Sequence, residues 1–567
     1  MKKPRTEHPN PQFEREKWEN LNGEWQFEID CGNSGIERKF YEREQLNGNI
    51  LVPFCPESKL SGVGYTDFMA AVWYRRTIAI IQEQLQGRVH LHFGAVDYCA
   101  TVYVNQKEVG KHRGGYTSFF FDITDFLTEG ENTLCVCAQD DVRAPYQASG
   151  KQSGQYHSCG CYYTRTTGIW QTVWLEFVPQ AHIKRVQYYP DPANGKLTIL
   201  AETVGAGVLD AAASYQGSPM AKASAQSSGG TVCLELHLAE KHLWEPGNGR
   251  LYDLEFTYGE DRVKSYFGLR SLRLDGKKFL INGKPVFQRL VLDQGFYPDG
   301  IYTAPDDAAL QNDIQISMGL GFNGARLHEK VFEPRFLYHC DRMGYLVWGE
   351  YANWGFDHSN PGLLSHFLNE WREAVERDFN HPAIIGWCPF NETWDINGRK
   401  QEDDILRTVY LETKRLDTTR PCIDTSGNYH VLTDIFDVHD YEQNPETFQA
   451  TFQRLEREDI LPHFAERQTY RGEAVFVSEY GGIKWDCGAI SENGWGYGDA
   501  PKTEQEFLER YKNLTEPLLQ NPKLFGFCYT QLYDVEQEVN GLYTYDRKPK
   551  FDPAVIKAIN SQTAANE

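Results

Sequence analysis

The chain has 567 residues and a formal net charge of −22, because 79 Asp and Glu outnumber 57 Lys and Arg. This length exceeds what one hydrophobic core supports and predicts about three domains. The acidic balance argues against nucleic acid as a partner, since phosphates require a basic surface, and against an anionic membrane surface. The sequence has no run of 18 or more apolar residues, so no membrane-spanning helix is predicted.

The N-terminus and the cysteines predict a cytoplasmic protein. Residues Met1–His8 carry charge without an apolar core, so no secretory signal peptide is visible. The 13 cysteines are scattered and include the pairs Cys135/Cys137 and Cys159/Cys161. Alternate residues of a strand face the same side, where small apolar cysteines pack well. This favours reduced structural thiols over a metal site.

The N-terminal half of the chain is predicted to be all β. Short apolar and aromatic runs, such as Gly87–Phe93 and Ala100–Val104, alternate with Gly, Asn and Asp turns. Residues 1–180 are interpreted as a jelly-roll β-sandwich and residues 181–275 as an immunoglobulin-like β-sandwich. Within the second module, the Ala-, Ser- and Gly-rich segment Ala211–Gly230 is predicted to be a mobile loop.

Residues 276–567 change to a repeated pattern of strand and then helix. The predicted strands are Val286–Leu292, Gly324–Leu327, Tyr345–Trp348, Ile384–Phe390, Cys422–Thr425, Ile435–His439, Val475–Ser478 and Leu524–Tyr529. Strands that alternate with helices in this number indicate a (β/α)8 TIM barrel. A doubly wound sheet is the alternative, but no glycine-rich phosphate turn opens any of the predicted helices.

Two glutamates stand where predicted barrel strands end. In Ile384–Asp395 the apolar run stops at Asn391 and Glu392, and in Ala474–Gly482 the residue near the end is Glu479. Side chains at the C-terminal ends of barrel strands lie on the face that carries the chemistry of such barrels. A pair of carboxylates there suggests the acid/base and the nucleophile of a glycosidase.

An ordered set of short motifs extends over nearly the whole chain and resembles glycoside hydrolase family 2, the family of β-galactosidases, β-glucuronidases and β-mannosidases. The motifs are Trp18–Phe27, Val72–Arg76, Thr167–Gln171, Phe267–Arg270, Phe279–Pro285, Gly321–Arg326, Phe390–Glu392, Ser478–Gly481 and Gly541–Lys550. Each motif alone is weak, but their order along the chain is specific.

The resemblance implies roles for four residues at the barrel mouth. Glu392 is expected to be the general acid/base and Glu479 the nucleophile, as in a retaining glycosidase. Asn391 is expected to hold the 2-hydroxyl of the sugar, and Arg326 to orient and stabilise the nucleophile. Salt-bridged structural carboxylates are the alternative interpretation of the two glutamates.

Five further residues are candidate substrate-binding residues. Tyr441 is implied to hydrogen-bond the nucleophile, with core packing as the alternative. His439 lies at the same strand end, and Trp394 lies in the loop after the acid/base. His328 lies two residues after Arg326, whereas the family often has a histidine three residues after this arginine. It is either a sugar ligand or a structural residue. Asp293 is either a ligand of a sugar hydroxyl or a loop cap.

Departures from the family pattern bear on the substrate. Where the family has a tryptophan floor at the eighth strand end, this chain has Tyr529, which is therefore a candidate platform. The Asn-x-Lys pair of β-glucuronidases is replaced by Glu538–Asn540, with Glu536 nearby, which disfavours a negatively charged sugar.

Glu350 matches a family acidic residue and is expected to support the catalytic groups. No metal-ligand set is recognised, so no cofactor is predicted.

Together these features predict a retaining exo-β-glycosidase that hydrolyses terminal neutral sugars from an oligosaccharide or glycoside by double displacement. Galactose, glucose and arabinopyranose are the favoured sugars, and a homo-oligomer is possible. Two alternatives stay open. One is a transglycosylase on the same fold, and the other is a catalytically silent carbohydrate-binding protein.

Overall fold

The structure, a computed structural model, describes residues 3–487 and 494–567. Two β-sandwiches are followed by a parallel barrel sheet, which confirms the predicted fold class. The boundaries after residues 180 and 275 stay predictions. Within the described ranges, no helix combines the length and the apolar character that crossing a membrane requires.

The first domain is a sandwich of two antiparallel sheets with the strand orders β1-β12-β5-β9 and β3-β2-β4-β10-β7-β8. Its strands are β1 (Trp18–Asn20), β2 (Gly23–Ile29), β3 (Gly48–Val52), β4 (Ala71–Ile80), β5 (Arg88–Phe93), β6 (Val96–Asp97), β7 (Cys99–Val104), β8 (Lys107–Arg113), β9 (Phe119–Asp122), β10 (Gly130–Gln139), β11 (Gly168–Ile169) and β12 (Val173–Val178). Alternate residues such as Val89, Leu91 and Phe93 face the core between the sheets. A long connection, residues 140–167, joins β10 to β11 and extends to the barrel.

The second domain packs the sheets β13-β14-β17 and β16-β15-β18-β19 face to face. Its strands are β13 (His182–Asp191), β14 (Lys196–Val204), β15 (Gly207–Tyr215), β16 (Ser218–Ser227), β17 (Gly230–His237), β18 (Tyr252–Tyr258) and β19 (Asp261–Phe267). The predicted mobile loop Ala211–Gly230 is wrong, because β15 and β16 pair as a hairpin across this segment. Leu209, Ala211 and Ala213 alternate into the core, so small residues here fill a narrow interior.

A small sheet, β20 (Leu272–Asp275), β21 (Lys278–Ile281) and β22 (Lys284–Pro285), precedes the barrel. The barrel strands are β23 (Gln288–Asp293), β24 (Gly324–Leu327), β25 (Leu346–Glu350), β26 (Ile384–Cys388), β27 (Ile435–Asp440), β28 (Ala474–Gly481) and β29 (Leu524–Thr530). The helices are α1 (Asp307–Gly319), α2 (Pro334–Met343), α3 (Leu364–Asp378), α4 (Asp403–Leu416), α5 (Pro445–Glu458), α6 (Glu504–Leu519) and α7 (Pro553–Asn560). All pairs in the sheet order β26-β25-β24-β23-β29-β28-β27 are parallel.

The predicted fifth barrel strand, Cys422–Thr425, is not a regular strand. It runs beside β26 through isolated parallel bridges, in which Ile423 N donates to Trp387 O at 2.9 Å and Ser426 N donates to Phe390 O at 2.8 Å. The segment therefore takes the position of the missing strand between β26 and β27. All C-terminal strand ends then open on one face, where the functional side chains of such barrels lie.

Candidate active site

Glu392 and Glu479 come together at the C-terminal end of the barrel, as the sequence predicts. One carboxylate oxygen of Glu392 and one of Glu479 lie within 4.8 Å of each other. Glu479 belongs to β28, whereas Glu392 follows β26 in a left-handed backbone conformation with φ of 46°. Such a conformation is costly for a residue with a side chain and is concentrated at functional sites.

Arg326 connects the strand ends through its guanidinium group. Its Nε donates to Glu350 Oε1 at 2.5 Å, its Nη1 donates to Glu479 Oε1 at 3.0 Å, and its Nη2 donates to Asn391 Oδ1 at 3.1 Å. Only 1% of Arg326 is exposed. Because a buried guanidinium binds two carboxylates at fixed positions, it holds Glu479 in a fixed orientation.

The nucleophile candidate receives a second donor from Tyr441. The Tyr441 hydroxyl donates to Glu479 Oε2, so each oxygen of this carboxylate has its own donor. The Tyr441 ring stacks on Tyr497 with the ring centres 3.5 Å apart, which fixes its orientation.

Asn391 lines the pocket beside the acid/base candidate. Its backbone N donates to Asn353 Oδ1 at 2.6 Å, and its carbonyl accepts from Trp354 Nε1 at 3.1 Å. Its side-chain oxygen is already bound to Arg326. The side-chain amide nitrogen is therefore the atom available to a sugar hydroxyl.

His439 lies between the two glutamates, which differs from the predicted substrate contact. Its Nδ1 is 2.7 Å from Glu392 Oε1, and its Nε2 is 3.4 Å from Glu479 Oε1. Burial disfavours the charged imidazole, but the carboxylates of Glu479 and Glu392 raise the pKa of His439 above 6.5. Burial likewise opposes ionisation of Glu392, but His439, Lys151 and Trp394 lower the pKa of Glu392 to about 2. In the free site the shared proton therefore resides on His439.

His328 is buried in the site, whereas Trp394 is exposed at its edge. His328 lines the pocket, and its Nδ1 is 3.2 Å from Glu350 Oε2. Burial and the charge of Lys151 lower the pKa of His328 well below 6.5, so its imidazole is neutral. Trp394 is 44% exposed, and its indole N–H donates to Glu392 Oε2 at 3.2 Å. It therefore forms part of the rim on the side of the acid/base candidate.

Asp293 does not reach the pocket. Its carboxylate accepts from Gly295 N at 2.9 Å and from the Tyr533 hydroxyl, which makes it a loop cap. Leu292 and Gln294, its chain neighbours, line the pocket instead. Successive residues of an extended chain point to opposite sides, so the predicted position is one residue out of register.

Tyr529 does not form the predicted platform for the same reason. It is fully buried, and its ring packs against Tyr480 and Tyr511 at centre distances of 5.6 and 4.9 Å. The next residue, Thr530, lines the pocket. The aromatic rings that do line it are those of Trp354, Tyr441, Trp495 and Tyr497.

The pocket encloses a cavity of about 70 Å³. It includes residues that the sequence-based prediction missed, namely Lys151, Cys161, Leu292, Gln294, Trp354, Trp495, Tyr497 and Thr530. Lys151 and Cys161 belong to connection 140–167 of the first domain, which no signal in the barrel sequence could identify. Glu538, predicted to lie near the sugar, is also part of the lining.

In the part of the chain that the structure describes, one group of side chains could hold a metal ion. It consists of Glu392, His439 and Glu479. Their ligand atoms lie within 4.8 Å of one another. These atoms already bind one another, and the positive charge of Arg326 lies 3.0 Å from Glu479. A proton on His439 and this guanidinium balance the two carboxylates, so the arrangement fits proton transfer better than a divalent cation.

Two family models match the chain. The sugar binding domain of glycosyl hydrolases family 2 matches residues 18–175, and the TIM barrel domain of the same family matches residues 272–563. The chain therefore belongs to glycosyl hydrolase family 2, which confirms the resemblance inferred from the sequence motifs.

Curated relatives carry the names of two enzymes of this family. A β-galactosidase of Thermoanaerobacter pseudethanolicus is 26% identical over 413 residues, which cover 67% of this chain and 52% of that protein. The chain thus spans about half the length of this relative. A β-glucuronidase of Paenibacillus borealis is 23% identical over an alignment of 606 positions. This alignment covers 95% of this chain and 96% of that protein.

Solved structures share the fold along the chain. A β-glucuronidase of an uncultured Clostridium has a TM-score of 0.80 at 21% identity and covers 96% of this chain and 98% of its own. A Ruminococcus gnavus β-glucuronidase in complex with D-glucuronic acid has a TM-score of 0.79 at 18% identity and covers 98% of this chain and 99% of its own. At this identity the likeness establishes the fold.

Proposed function

We propose that the protein is a retaining exo-β-glycosidase that removes one terminal neutral sugar by double displacement. The observation that carries this proposal is the separation of Glu392 and Glu479, whose nearest candidate oxygens lie within 4.8 Å. Retaining glycosidases hold their carboxyl groups about 5–5.5 Å apart, whereas inverting enzymes need about 6.5–9.5 Å to admit a water.

The contacts of each glutamate fit one role. Glu479 has donors on both oxygens, from Arg326 and Tyr441, and these orient it for attack on the anomeric carbon. Glu392 shares a proton with His439. As the glycosidic bond breaks, His439 Nδ1 passes its proton to Glu392, and Glu392 protonates the leaving oxygen. In the second step Glu392 takes a proton from water and returns it to His439 Nδ1, while the water oxygen bonds to the anomeric carbon and the bond to Glu479 breaks.

The shape of the pocket supports exo action. Its enclosed volume is only about 70 Å³, well below the usual range for ligand sites. The first domain closes one wall with Lys151, and the connection after β28 closes another with Trp495 and Tyr497. A pocket closed on these sides accommodates the end of a sugar chain rather than its middle.

The charge of the pocket supports a neutral sugar. Glu538 lines it, with Oε1 bound to Asn540 Nδ2 at 2.9 Å and Oε2 bound to the Tyr163 hydroxyl. A uronate would meet this carboxylate in addition to Glu392 and Glu479, and like charges in a desolvated site repel strongly. We therefore favour galactose, glucose or arabinopyranose over the uronic acid that the names of several relatives suggest.

All 13 cysteines are free thiols. This supports the further proposal that the protein works in a reducing compartment such as the cytoplasm, where disulfides are rare.

The test is turnover of a panel of aryl α- and β-glycosides by the wild type, by Glu479→Gln and by the exposed matched control Glu456→Gln. We expect one neutral β-glycoside to be hydrolysed, the Glu479 variant to be inactive and the control to match the wild type. A 2-deoxy-2-fluoro analogue of that sugar should label Glu479 covalently, as detected by peptide mass spectrometry. Fastest turnover of a glucuronide would contradict the neutral sugar, and no label on Glu479 would contradict the mechanism.

A further inference from the structure

Lys151 is a buried cation that lines the pocket. It belongs to connection 140–167 of the first domain, and only 6% of it is exposed. Its ammonium forms no hydrogen bond or ion pair with the residues that the structure describes, and it lies 3.9 Å from the centre of the Trp354 ring. A buried charge that is not paired is costly, so its retention at this position calls for a ligand.

The backbone around Lys151 is held firmly against the barrel. Ser149 N and Gly150 N donate to Trp354 O at 2.8 and 3.1 Å. Gly150 has a φ of 51°, and a Cβ atom built there would lie 2.3 Å from Glu329 O. Only glycine permits both this conformation and this close approach. The lysine side chain is therefore fixed in the pocket before any ligand arrives, which lowers the entropic cost of binding.

The charges around Lys151 keep it protonated. Burial opposes its charge, but Cys161, Glu538, Glu479 and Glu392 together raise its pKa above the ordinary value. Burial raises the pKa of the Glu538 carboxyl, an effect that the Lys151 ammonium opposes. Lys151 and Glu538 both line the pocket, yet no ion pair within 4.0 Å joins them. The two opposite charges therefore face the same pocket without contacting each other.

We propose that Lys151 binds the terminal sugar directly and clamps one of its hydroxyl groups together with Glu538. The ammonium donates to the hydroxyl oxygen, and the hydroxyl donates its proton to the Glu538 carboxylate. A hydroxyl fits because it both accepts and donates, whereas a carboxylate or sulfate only accepts and is repelled by Glu538. This inference rests on the proposed function and assigns part of its sugar specificity to the first domain.

The test is a comparison of Lys151→Met, Lys151→Arg and the exposed first-domain control Lys107→Met. Each is assayed on the preferred aryl β-glycoside and on its monodeoxy analogues. We expect Lys151→Met to lower kcat/KM by about 10- to 100-fold, the loss typical of one hydrogen bond to a charged group. Removal of one particular hydroxyl should cost the wild type a larger factor than it costs Lys151→Met, in which only the contact with Glu538 is left to lose.

A merely structural role predicts a different pattern. In that case Lys151→Met would lose the same factor on the parent glycoside and on every deoxy analogue, and its Tm would fall. We expect instead that the loss is much smaller on one deoxy analogue than on the parent glycoside and the other analogues. Equal losses on all analogues, or a loss below about 3-fold on the parent, would overturn the proposal.

Two outcomes separate this inference from the proposed function. If a glucuronide is the best substrate and Lys151→Met lowers only its turnover, Lys151 binds an anionic group. That result would overturn the hydroxyl clamp and the neutral sugar but not the mechanism. If no glycoside is turned over, tryptophan fluorescence titration with galactose, glucose and arabinose still tests the clamp. Weaker binding by Lys151→Met than by Lys107→Met would support it, and equal binding or none would overturn it.

Discussion

His439→Gln tests the idea that the acid/base shares its proton with a histidine. The hydrogen bond between His439 Nδ1 and Glu392 Oε1 is 2.7 Å long, and the two side chains are only 6% and 16% exposed. The pKa of Glu392 lies at about 2 instead of 4.5, with burial opposing the decrease and His439 as the largest favourable cause. This difference is equivalent to about 3 kcal/mol, of which Lys151 and Trp394 supply a part.

The sign of each contribution defines a pH window. Glu392 has a lowered pKa, so its stabilisation is present above about pH 4.5 and is lost as the pH falls towards about 2. His439 has a raised pKa, so its stabilisation is complete below about pH 6.5 and is lost as the pH rises through the folded-state value. Between these limits, His439→Gln should destabilise the fold by about 1–3 kcal/mol.

Activity should respond as well. In the wild type the pair holds a proton up to the raised pKa of His439, and this sets the basic limb of kcat/KM. In His439→Gln only Glu392 can hold that proton, and Lys151 still lowers its pKa. The basic limb should therefore move to lower pH by at least about one unit. His237→Gln, at an exposed histidine of the second domain, is the control. A basic limb at the wild-type pH in His439→Gln would refute the reasoning.

Two other substitutions test the buried ion pairs of the site and its exposed rim. Arg326→Met should lower the free energy of unfolding by about 3–5 kcal/mol, because Glu350 and Glu479 lose the buried guanidinium that pairs with both. Urea denaturation measures this effect, and an unchanged midpoint would contradict it. Trp394→Ala should raise KM more for aglycones that carry a ring than for methyl glycosides, because this exposed indole lies beside the acid/base. Equal changes for both aglycones would argue against an aglycone contact.

The sequence predicts the residues at the C-terminal face of the barrel well, because the end of a strand can be recognised from the residues around it. Glu392, Glu479 and Arg326 each follow an apolar strand-like run, and parallel strands bring such ends to one face. Asp293 and Tyr529 were misplaced because a shift of one residue along a strand turns a side chain away from the pocket. Sequence alone does not define where a short strand ends to that accuracy.

Other features depend on contacts that are distant in sequence. Ala211–Gly230 resembles a loop by composition, but its small residues alternate into the interior of a β-sandwich. Lys151 reaches the pocket only because connection 140–167 docks on the backbone of Trp354, about 200 residues further along the chain. His439 was recognised as a site residue, but its position between the two glutamates depends on the packing of β26 against the segment that precedes β27.

The stereochemistry of the released sugar is the measurement that tests the central claim most directly. Proton NMR of the first anomer formed from the preferred aryl β-glycoside distinguishes the two mechanisms before mutarotation sets in. Because one oxygen of Glu392 lies within 4.8 Å of one oxygen of Glu479, the β-anomer should appear first. First appearance of the α-anomer would contradict double displacement and the assignment of Glu479 as the nucleophile.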